Sequence, residues 1–311
     1  MKTILITGSN GLLGQKLIYN LLARNSKSPS WNIIATSKGE NRIREKNGYT
    51  YVSMDITDTA SLGEVLYVHR PNVVINTVAM TNVDACEFNE DGAYDLNCGV
   101  VHNIMAWMES RKERGYDQHF IQLSTDFIFD GENGPYREED EPKPLSYYGE
   151  TKLEAEKRVQ WGIVPWCIIR TIIVYGIVDG MSRSNLVLWA KDALTKGQKI
   201  NVVNDQFRSP TLAEDLAEGC VLCAEKNAHG VYNISGEKTE SILELVYHVA
   251  DFWKLDKLLI NPSTSVGINQ PAKRPPRTGF IIDKAKRDLG YKPHSFMEGL
   301  AVLDKQLRME N

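Results

Sequence analysis

The 311-residue sequence has no uninterrupted apolar run near the roughly 18 residues that a membrane-spanning helix requires. It also has no excess of positive charge, because the formal net charge is -4 at pH 7. The basic stripe with which a protein neutralises nucleic-acid phosphates is therefore missing. The stretch "MKTILIT" (1–7) lacks the apolar segment and the cleavage site of a signal peptide. We expect a cytoplasmic protein that binds neither membranes nor nucleic acids.

Cysteine is scarce, and its spacing shows no disulfide framework. The five cysteines are an odd number, which favours reduced thiols. Cys220 and Cys223 form a single C-x-x-C, which is either a redox or metal pair or two small apolar residues on the core face of a helix. No second pair follows, and a structural zinc site needs four ligands. We favour the core interpretation and expect no metal site.

Strand-like apolar runs alternate with helical patterns in the first half of the chain. The strand-like runs lie at 2–7, 32–37, 49–56, 72–79, 119–125 and 166–176. The helical patterns lie at 11–24, 61–70, about 90–114 and 146–161. This alternation is typical of β-α-β units, so it predicts an α/β fold with a doubly wound parallel sheet of at least six strands.

After Gly176 the pattern loosens. Helices are predicted within 181–197, 210–226 and 241–254, strands at 199–205 and 230–235, and two short helices at the end of the chain. Pro210 would lie near a helix N-terminus, and residues 271–280 form a basic, proline-rich loop. We predict a dinucleotide-binding domain from 1–176 plus 210–235, and a smaller C-terminal α/β substrate-binding lobe from 177–209 plus 236–311.

The segment "TGSNGLLG" (7–14) joins the first predicted strand to the first predicted helix. Gly8 permits a tight turn, Gly11 allows a pyrophosphate to approach the backbone, and Gly14 allows close packing of helix and strand. The free N–H groups of the helix N-terminus favour a phosphate there. The loop therefore predicts a Rossmann-type dinucleotide site, although its spacing is G-x-x-G-x-x-G.

The segment "LSYYGETKLEAEK" (145–157) contains two adjacent tyrosines and a lysine. Tyr148 and Lys152 are four residues apart, so they share one face of a helix, whereas Tyr147 is four residues before Thr151 and has no such partner. A nearby lysine cation lowers the pKa of a tyrosine. We therefore interpret Tyr148 as a proton donor and Lys152 as the residue that tunes it.

These features together resemble a known family. The glycine loop, "STDFIFDG" (124–131) and Tyr148-x-x-x-Lys152 resemble the extended short-chain dehydrogenase/reductases. "TNVDACE" (81–87), "STDFIFDGENGPYREEDEPKP" (124–144), "RTIIVYG" (170–176), "NDQFRSPT" (204–211) and "RPP" (274–276) resemble the dTDP-4-dehydrorhamnose reductase family within them. The resemblance implies NAD(P)H-dependent reduction of the 4-keto group of a nucleotide-linked deoxysugar, in dTDP-rhamnose biosynthesis.

The resemblance also implies a set of site residues. Thr125 would hold the substrate carbonyl oxygen, with Ser124 as the alternative, and Lys152 would also hold the nicotinamide ribose. Asn97 either bridges to the lysine through water or satisfies a helix kink. The expected cofactor-binding residues are Gly8, Asn10, Gly11, Leu12, Leu13, Gly14, Ser37, Lys38, Asp55, Ile56, Ala79, Tyr148 and Lys152. The expected substrate-binding residues are Thr81, Val83, Asp84, Thr125, Asp126, Phe127 and Arg208.

The choice of cofactor depends on the turn after the second strand. NAD sites usually place an acidic residue there, but this chain has Thr36, Ser37 and Lys38, with Arg42 following. Hydroxyls and cations suit a 2′-phosphate, so we favour NADPH, with NADH as the alternative. Lys38→Ala should then weaken NADPH more than NADH.

Three departures from the family pattern leave the sugar and the nucleotide open. Phe127 replaces a usual tyrosine, Ile173 an often-found tryptophan, and Arg208 a usual glycine. Arg208 either pairs with the nucleotide diphosphate or forms a salt bridge between the lobes. Phe127 after Asp126 argues against a 4,6-dehydratase, because it cannot transfer a proton. An epimerase and a non-catalytic NADP-binding regulatory subunit remain alternatives, and the family is compatible with a homodimer.

Overall fold

The computed structural model describes residues 1–181, 184–268 and 271–310. Its strands are β1 (Lys2–Thr7), β2 (Trp31–Ser37), β3 (Thr50–Ser53), β4 (Val73–Asn76), β5 (His119–Thr125), β6 (Trp166–Thr171), β7 (Val174–Tyr175), β8 (Ile200–Val203), β9 (Phe207–Arg208), β10 (Thr211–Leu212), β11 (Gly230–Asn233), β12 (Glu240–Ser241) and β13 (Ile260–Ser263).

The α-helices within the described ranges are α1 (Leu12–Asn25), α2 (Thr59–His69), α3 (Val83–Phe88), α4 (Glu90–Tyr94), α5 (Val100–Lys112), α6 (Tyr147–Gln160), α7 (Leu186–Thr195), α8 (Ala213–Glu225), α9 (Ile242–Trp253), α10 (Ser265–Ile268) and α11 (Phe296–Glu310). Short 3₁₀ turns lie at Asp126–Ile128 and Lys257–Leu259, and π-helical turns at Asp95–Gly99 and Ala285–Leu289. No helix in these ranges has the length and apolarity needed to cross a bilayer.

Seven strands form one parallel sheet in the order β11-β6-β5-β4-β1-β2-β3. The chain runs outward from β1 through β2 to β3, and then returns to the other side of β1 with β4. The strand order therefore reverses between β1 and β4, and ligands of doubly wound sheets bind at such a point, beyond the carboxyl ends of the strands. The predicted parallel α/β sheet is confirmed.

Helices cover both faces of this sheet, which explains why its central strands are apolar throughout rather than alternating. On one face, α1 and α8 pack against residues such as Ile4, Ile6 and Ile121. On the other face, α2, α5 and α6 pack against residues such as Leu5, Val74 and Phe120. Cys220 and Cys223 lie fully buried on α8, as the core interpretation predicts.

A separate apolar cluster lies beyond the sheet. It joins α7, α9 and α11 to the two-stranded pair of β8 and β13, around residues such as Ala190, Leu245 and Leu300. Phe280, Ile282 and Tyr291, by contrast, pack with the core of the main sheet. The two predicted domain ranges stay a prediction.

Several predicted boundaries are wrong. The run 166–176 is divided into β6 and β7, because Ile173 has a φ of 31° and interrupts the ladder. A β-branched residue with positive φ is strained, so tertiary packing must hold it there. The helix α8 begins at Ala213, after β10, rather than at Pro210, which lies near its N-terminus as predicted. The last helix, α11, has 15 residues instead of being short.

The helical segment predicted at about 90–114 contains a π-helical turn at Asp95–Gly99 between α4 and α5. Such turns insert one extra residue and often occur at functional sites. The short helix α3 was not predicted at all. Of the predicted helix in 181–197, residues 182 and 183 lie outside the described residues, and α7 begins at Leu186.

Candidate active site

The glycine loop forms the tight turn that its sequence predicts. Gly8 has a φ of 68°, and a Cβ atom there would lie 2.8 Å from Oγ1 of Thr77. A Cβ atom at Gly14 would clash with the carbonyl oxygen of Gly8 and lie 2.6 Å from Cα of Ser9. Both positions therefore exclude any larger residue.

The N-terminus of α1 is open to an anion. Gly11 caps this helix without a side-chain hydrogen bond, and its first turn contains no acidic residue. Leu12, Leu13 and Gly14 form this first turn, whose backbone N–H groups have no partner within the helix. These N–H groups and the helix dipole suit a phosphate group.

A groove of about 350 Å³ lies over the carboxyl ends of β1, β2 and β4. It brings together eight of the residues expected to bind the cofactor: Gly8, Asn10, Gly11, Ser37, Lys38, Asp55, Ile56 and Ala79. Thr36 and Arg42, two of the residues expected to set the cofactor preference, also line it, as do four residues that the sequence did not indicate: Met54, Thr77, Val78 and Leu96. The volume and the glycine cradle fit the adenosine end of a dinucleotide.

Lys38 and Asp55 form an ion pair at the rim of this groove. They follow the neighbouring strands β2 and β3, and Nζ of Lys38 lies 2.6 Å from Oδ2 of Asp55. Lys38 and hydrogen bonds from Thr57 lower the pKa of Asp55 to about 2, and the pKa of Lys38 is raised. Lys38 therefore keeps its ammonium charge and is paired with Asp55, whereas Arg42, also in the groove, has no ion pair within the described ranges.

Helix α6 presents Tyr148 and Lys152 to the interior. Ser146 starts the helix by accepting a hydrogen bond from the N–H of Gly149. Tyr148 and Lys152 are only 7% and 2% exposed, respectively. Tyr147 is only half-buried, and its backbone N–H donates to Oε1 of Glu87 at 2.9 Å. The predicted helical register is confirmed.

Burial dominates the electrostatics of both residues. Burial lowers the pKa of Lys152 to about 8, and the ammonium donates to the carbonyl oxygen of Leu123 at 2.6 Å. The pKa of Tyr148 is raised by burial, with the hydroxyl of Thr125 opposing this shift. Burial outweighs the groups that lower this pKa, because a buried phenol disfavours its anion. The lowering of the pKa of Tyr148 by Lys152 stays a prediction.

Thr125 ends β5 and lies beside Tyr148. Its side chain accepts from the N–H of Phe127 and donates to Oδ1 of Asp126 at 3.2 Å. The ring of Phe127 packs edge-to-face on the ring of Tyr148, with centroids 5.7 Å apart. Ser124, the alternative hydroxyl, is 4% exposed, and its Oγ has no hydrogen-bond partner among the described residues.

Asp126 and Arg208 form a buried ion pair beneath this cluster. Nε of Arg208 lies 3.4 Å from Oδ2 of Asp126, which also accepts from Oγ1 of Thr278 at 2.6 Å. The Nη atoms of Arg208 donate to the carbonyl oxygens of Phe207, Pro275 and Pro276. Arg208 is 1% exposed. The structure therefore shows Arg208 in a buried salt bridge with its donors occupied, and its binding of the substrate diphosphate stays a prediction.

Asp84 binds Arg274, a residue that the sequence argument did not include in the site. The guanidinium donates to both carboxylate oxygens at 3.1 and 2.8 Å, and the N–H of Ala272 donates to Oδ1 at 3.0 Å. Arg274 lowers the pKa of Asp84. This contact ties α3, which Val83 begins, to the basic loop, and the neighbouring Thr81 is exposed.

Asn97 occupies the π-helical turn, where both of its amide atoms are used. Its Oδ1 accepts from the N–H of Met80 at 2.8 Å, and its Nδ2 donates to Oγ1 of Thr151 at 3.0 Å. Asn97 thereby fixes the loop after β4 against α6, and both interpretations of this residue stay predictions. The chemistry assembled at the carboxyl end of β5 is a phenol, an ammonium and a hydroxyl, from Tyr148, Lys152 and Thr125.

Comparisons with known proteins agree with this arrangement. The β subunit of methionine adenosyltransferase 2 from Bos taurus is 29% identical over 278 residues, covering 87% of this chain and 78% of the relative. The spore coat polysaccharide biosynthesis protein SpsK from Bacillus subtilis is 29% identical over 302 residues, covering 96% of both chains.

Solved structures of dTDP-4-dehydrorhamnose reductases share the whole fold. The protein from Clostridium acetobutylicum superposes with a TM-score of 0.82 at 28% identity, covering 98% of this chain and 99% of its own. The protein from Bacillus anthracis, solved in complex with NADP, gives a TM-score of 0.81 at 25% identity, covering 98% and 100%. Residues 1–309 match the family described as the RmlD substrate binding domain. The chain therefore belongs to the RmlD family.

Proposed function

We propose that this protein is an NAD(P)H-dependent oxidoreductase that reduces the 4-keto group of a nucleotide-linked deoxysugar, as in dTDP-rhamnose biosynthesis. The observation that carries the proposal is the pairing of Tyr148 and Lys152 on the buried face of α6, in a chain whose glycine loop lines a groove that fits the adenosine end of a dinucleotide. Family membership over residues 1–309 and the likeness to dTDP-4-dehydrorhamnose reductases support it.

The groove residues would hold the cofactor, which supplies a hydride when bound. The first turn of α1 would bind its pyrophosphate, and Asp55 and Ile56 would lie against the adenine end. Lys152 has the buried ammonium needed to bind ribose hydroxyls. We favour NADP, because Lys38 and Arg42 supply cations at the expected 2′-phosphate position, with NAD as the alternative.

Tyr148 would donate the proton that the reduced carbonyl oxygen requires. Its raised pKa keeps the phenol protonated before reaction, which suits a proton donor in the reducing direction. The hydroxyl of Thr125 lies beside it and would hold the same oxygen. Phe127 would exclude water by packing on the ring of Tyr148.

Two lining residues test the cofactor preference. Lys38→Ala and Arg42→Ala should each weaken NADPH about tenfold, the low end for an exposed charge-assisted contact, and should weaken NADH less. The Lys38 variant also leaves Asp55 as an unpaired anion near the phosphate, so its loss should be the larger. Calorimetric titration of each variant with both cofactors measures these affinities. Equal losses of affinity for NADPH and NADH would contradict the preference for NADP.

The reaction is tested with purified protein, NADPH and a panel of nucleotide-linked 4-keto sugars, observed through cofactor absorbance. We expect absorbance to fall only when a 4-keto sugar is present. Binding of NADP without turnover of any sugar would favour a non-catalytic regulatory subunit instead. The similarity to the methionine adenosyltransferase 2 β subunit is the observation that keeps this second candidate.

A further inference from the structure

We propose that Glu156 is a positioning residue for Lys152, and that Arg170 holds it in this role. The carboxylate of Glu156 keeps the buried side chain of Lys152 in its charged, cofactor-binding form. The inference rests on the proposed function only in assigning Lys152 to the cofactor ribose. Its test needs no sugar substrate.

Glu156 continues the buried stripe of α6. It follows Lys152 by four residues, as Lys152 follows Tyr148, so the three side chains lie on one helix face. Glu156 is 1% exposed and Lys152 is 2% exposed. An isolated carboxylate in such a place would be costly, so its partner is essential.

Arg170 is that partner, and it fixes the carboxylate firmly. Its Nε and Nη2 donate to the two oxygens of Glu156 at 3.1 and 2.8 Å. Its Nη1 donates to the carbonyl oxygen of Glu138 at 3.0 Å, and the guanidinium lies 5.3 Å from the centre of the Phe129 ring. A planar guanidinium with both edges occupied cannot swing away from the carboxylate.

A buried ion pair contributes little net stability compared with an apolar pair of the same volume. The position of Glu156 one helical turn from the buried Lys152 supplies a different reason for the pair. Two groups act on the charge of Lys152: Glu156 on its own helix, and the thiol of Cys98 on the π-helical turn packed against α6. Burial lowers the pKa of Lys152 to about 8, and Glu156 is the larger of the two groups that oppose it.

Substitutions at the two members of the pair should shift the pKa of Lys152 in opposite directions. Glu156→Gln removes the anion and leaves the cation of Arg170 nearby, so the pKa of Lys152 should fall further. Arg170→Met leaves the anion uncompensated, so this pKa should rise. The ammonium form predominates below the pKa, and Glu156→Gln should therefore lose NADP affinity at a lower pH than the wild-type protein.

The experiment is a titration of NADP against pH, from about pH 6 to pH 10, by intrinsic fluorescence or calorimetry. The midpoint of affinity loss should move down by about one pH unit in Glu156→Gln, giving about fivefold weaker binding at pH 8. The midpoint should move up in Arg170→Met. Glu154→Gln removes a carboxylate from the same helix at a position that does not act on Lys152, and it should leave the midpoint unchanged.

A purely structural ion pair would behave differently. Both single variants would then lower the unfolding temperature, but neither would move the midpoint, or both would move it in one direction; either result overturns the inference. If the single variants do not fold, Glu156→Gln combined with Arg170→Gln removes both charges and should leave the midpoint between the two expected shifts. A downward shift as large as that expected for Glu156→Gln alone would contradict the inference. If the protein reduces none of the sugars, the titration can still be interpreted, because it measures the binding of cofactor alone.

Discussion

Tyr148→Phe should lower turnover of the sugar substrate by about 10²–10⁴-fold, the usual contribution of general acid catalysis. The change removes only the hydroxyl, so the ring keeps its edge-to-face contact with Phe127. Folding and NADP affinity should therefore change little. The measurement is kcat with the sugar identified in the panel, with NADP affinity as the folding control.

Tyr147→Phe is the matched control. Tyr147 is the preceding residue on α6, but adjacent helical residues point about 100° apart, so both rings cannot face one carbonyl. Its turnover should stay within a few-fold of the wild-type value. An inactive Tyr147→Phe beside an active Tyr148→Phe would mean that the mechanism has been assigned to the wrong tyrosine.

Arg208→Met should destabilise the protein by about 3–5 kcal/mol, because it leaves the carboxylate of Asp126 buried without its cation. It also removes the donors to the carbonyl oxygens of Pro275 and Pro276, which hold the basic loop over the site. Denaturant unfolding measures the lost stability: the denaturant concentration at half-unfolding should fall, while the dependence of the unfolding free energy on denaturant concentration stays unchanged.

A control variant and a double variant test whether the lost stability comes from the buried ion pair. Arg308→Met breaks an exposed ion pair with Asp304 and should change stability by less than about 1 kcal/mol. Asp126→Asn combined with Arg208→Met should recover much of the loss, because the amide oxygen can still accept from Thr278. An Arg208→Met protein of wild-type stability but with weaker nucleotide-sugar binding would instead support direct binding of the diphosphate by Arg208.

Local patterns predicted much of the fold and part of the site. The apolar runs specified β1, β2 and β5 to within one residue, because strands buried on both faces are apolar throughout. The glycine spacing specified the turn at Gly8, since a positive φ and a close approach leave no other residue. The four-residue spacing placed Tyr148 and Lys152 on one buried face.

Tertiary contacts account for what the sequence did not show. Asp126 and Arg208 are 82 positions apart, so no local pattern joins them, and an arginine in a polar loop is ordinarily exposed. The same applies to Asp84 with Arg274. The pKa of Tyr148 depends on how deeply α6 packs, which spacing cannot give. The proximity of Lys38 and Asp55 is easier to predict, because the two residues follow neighbouring parallel strands.

The proposed function requires that a hydride pass from the nicotinamide to C4 of a nucleotide-linked sugar. The most direct measurement uses NADPH carrying deuterium at its transferable position, with mass spectrometry and NMR of the sugar product. The account predicts one deuterium at C4 of the product with wild-type protein, and a yield lower by about 10²–10⁴-fold with Tyr148→Phe. A sugar that changes configuration without taking up deuterium, or that is never altered while NADP binds, would contradict it.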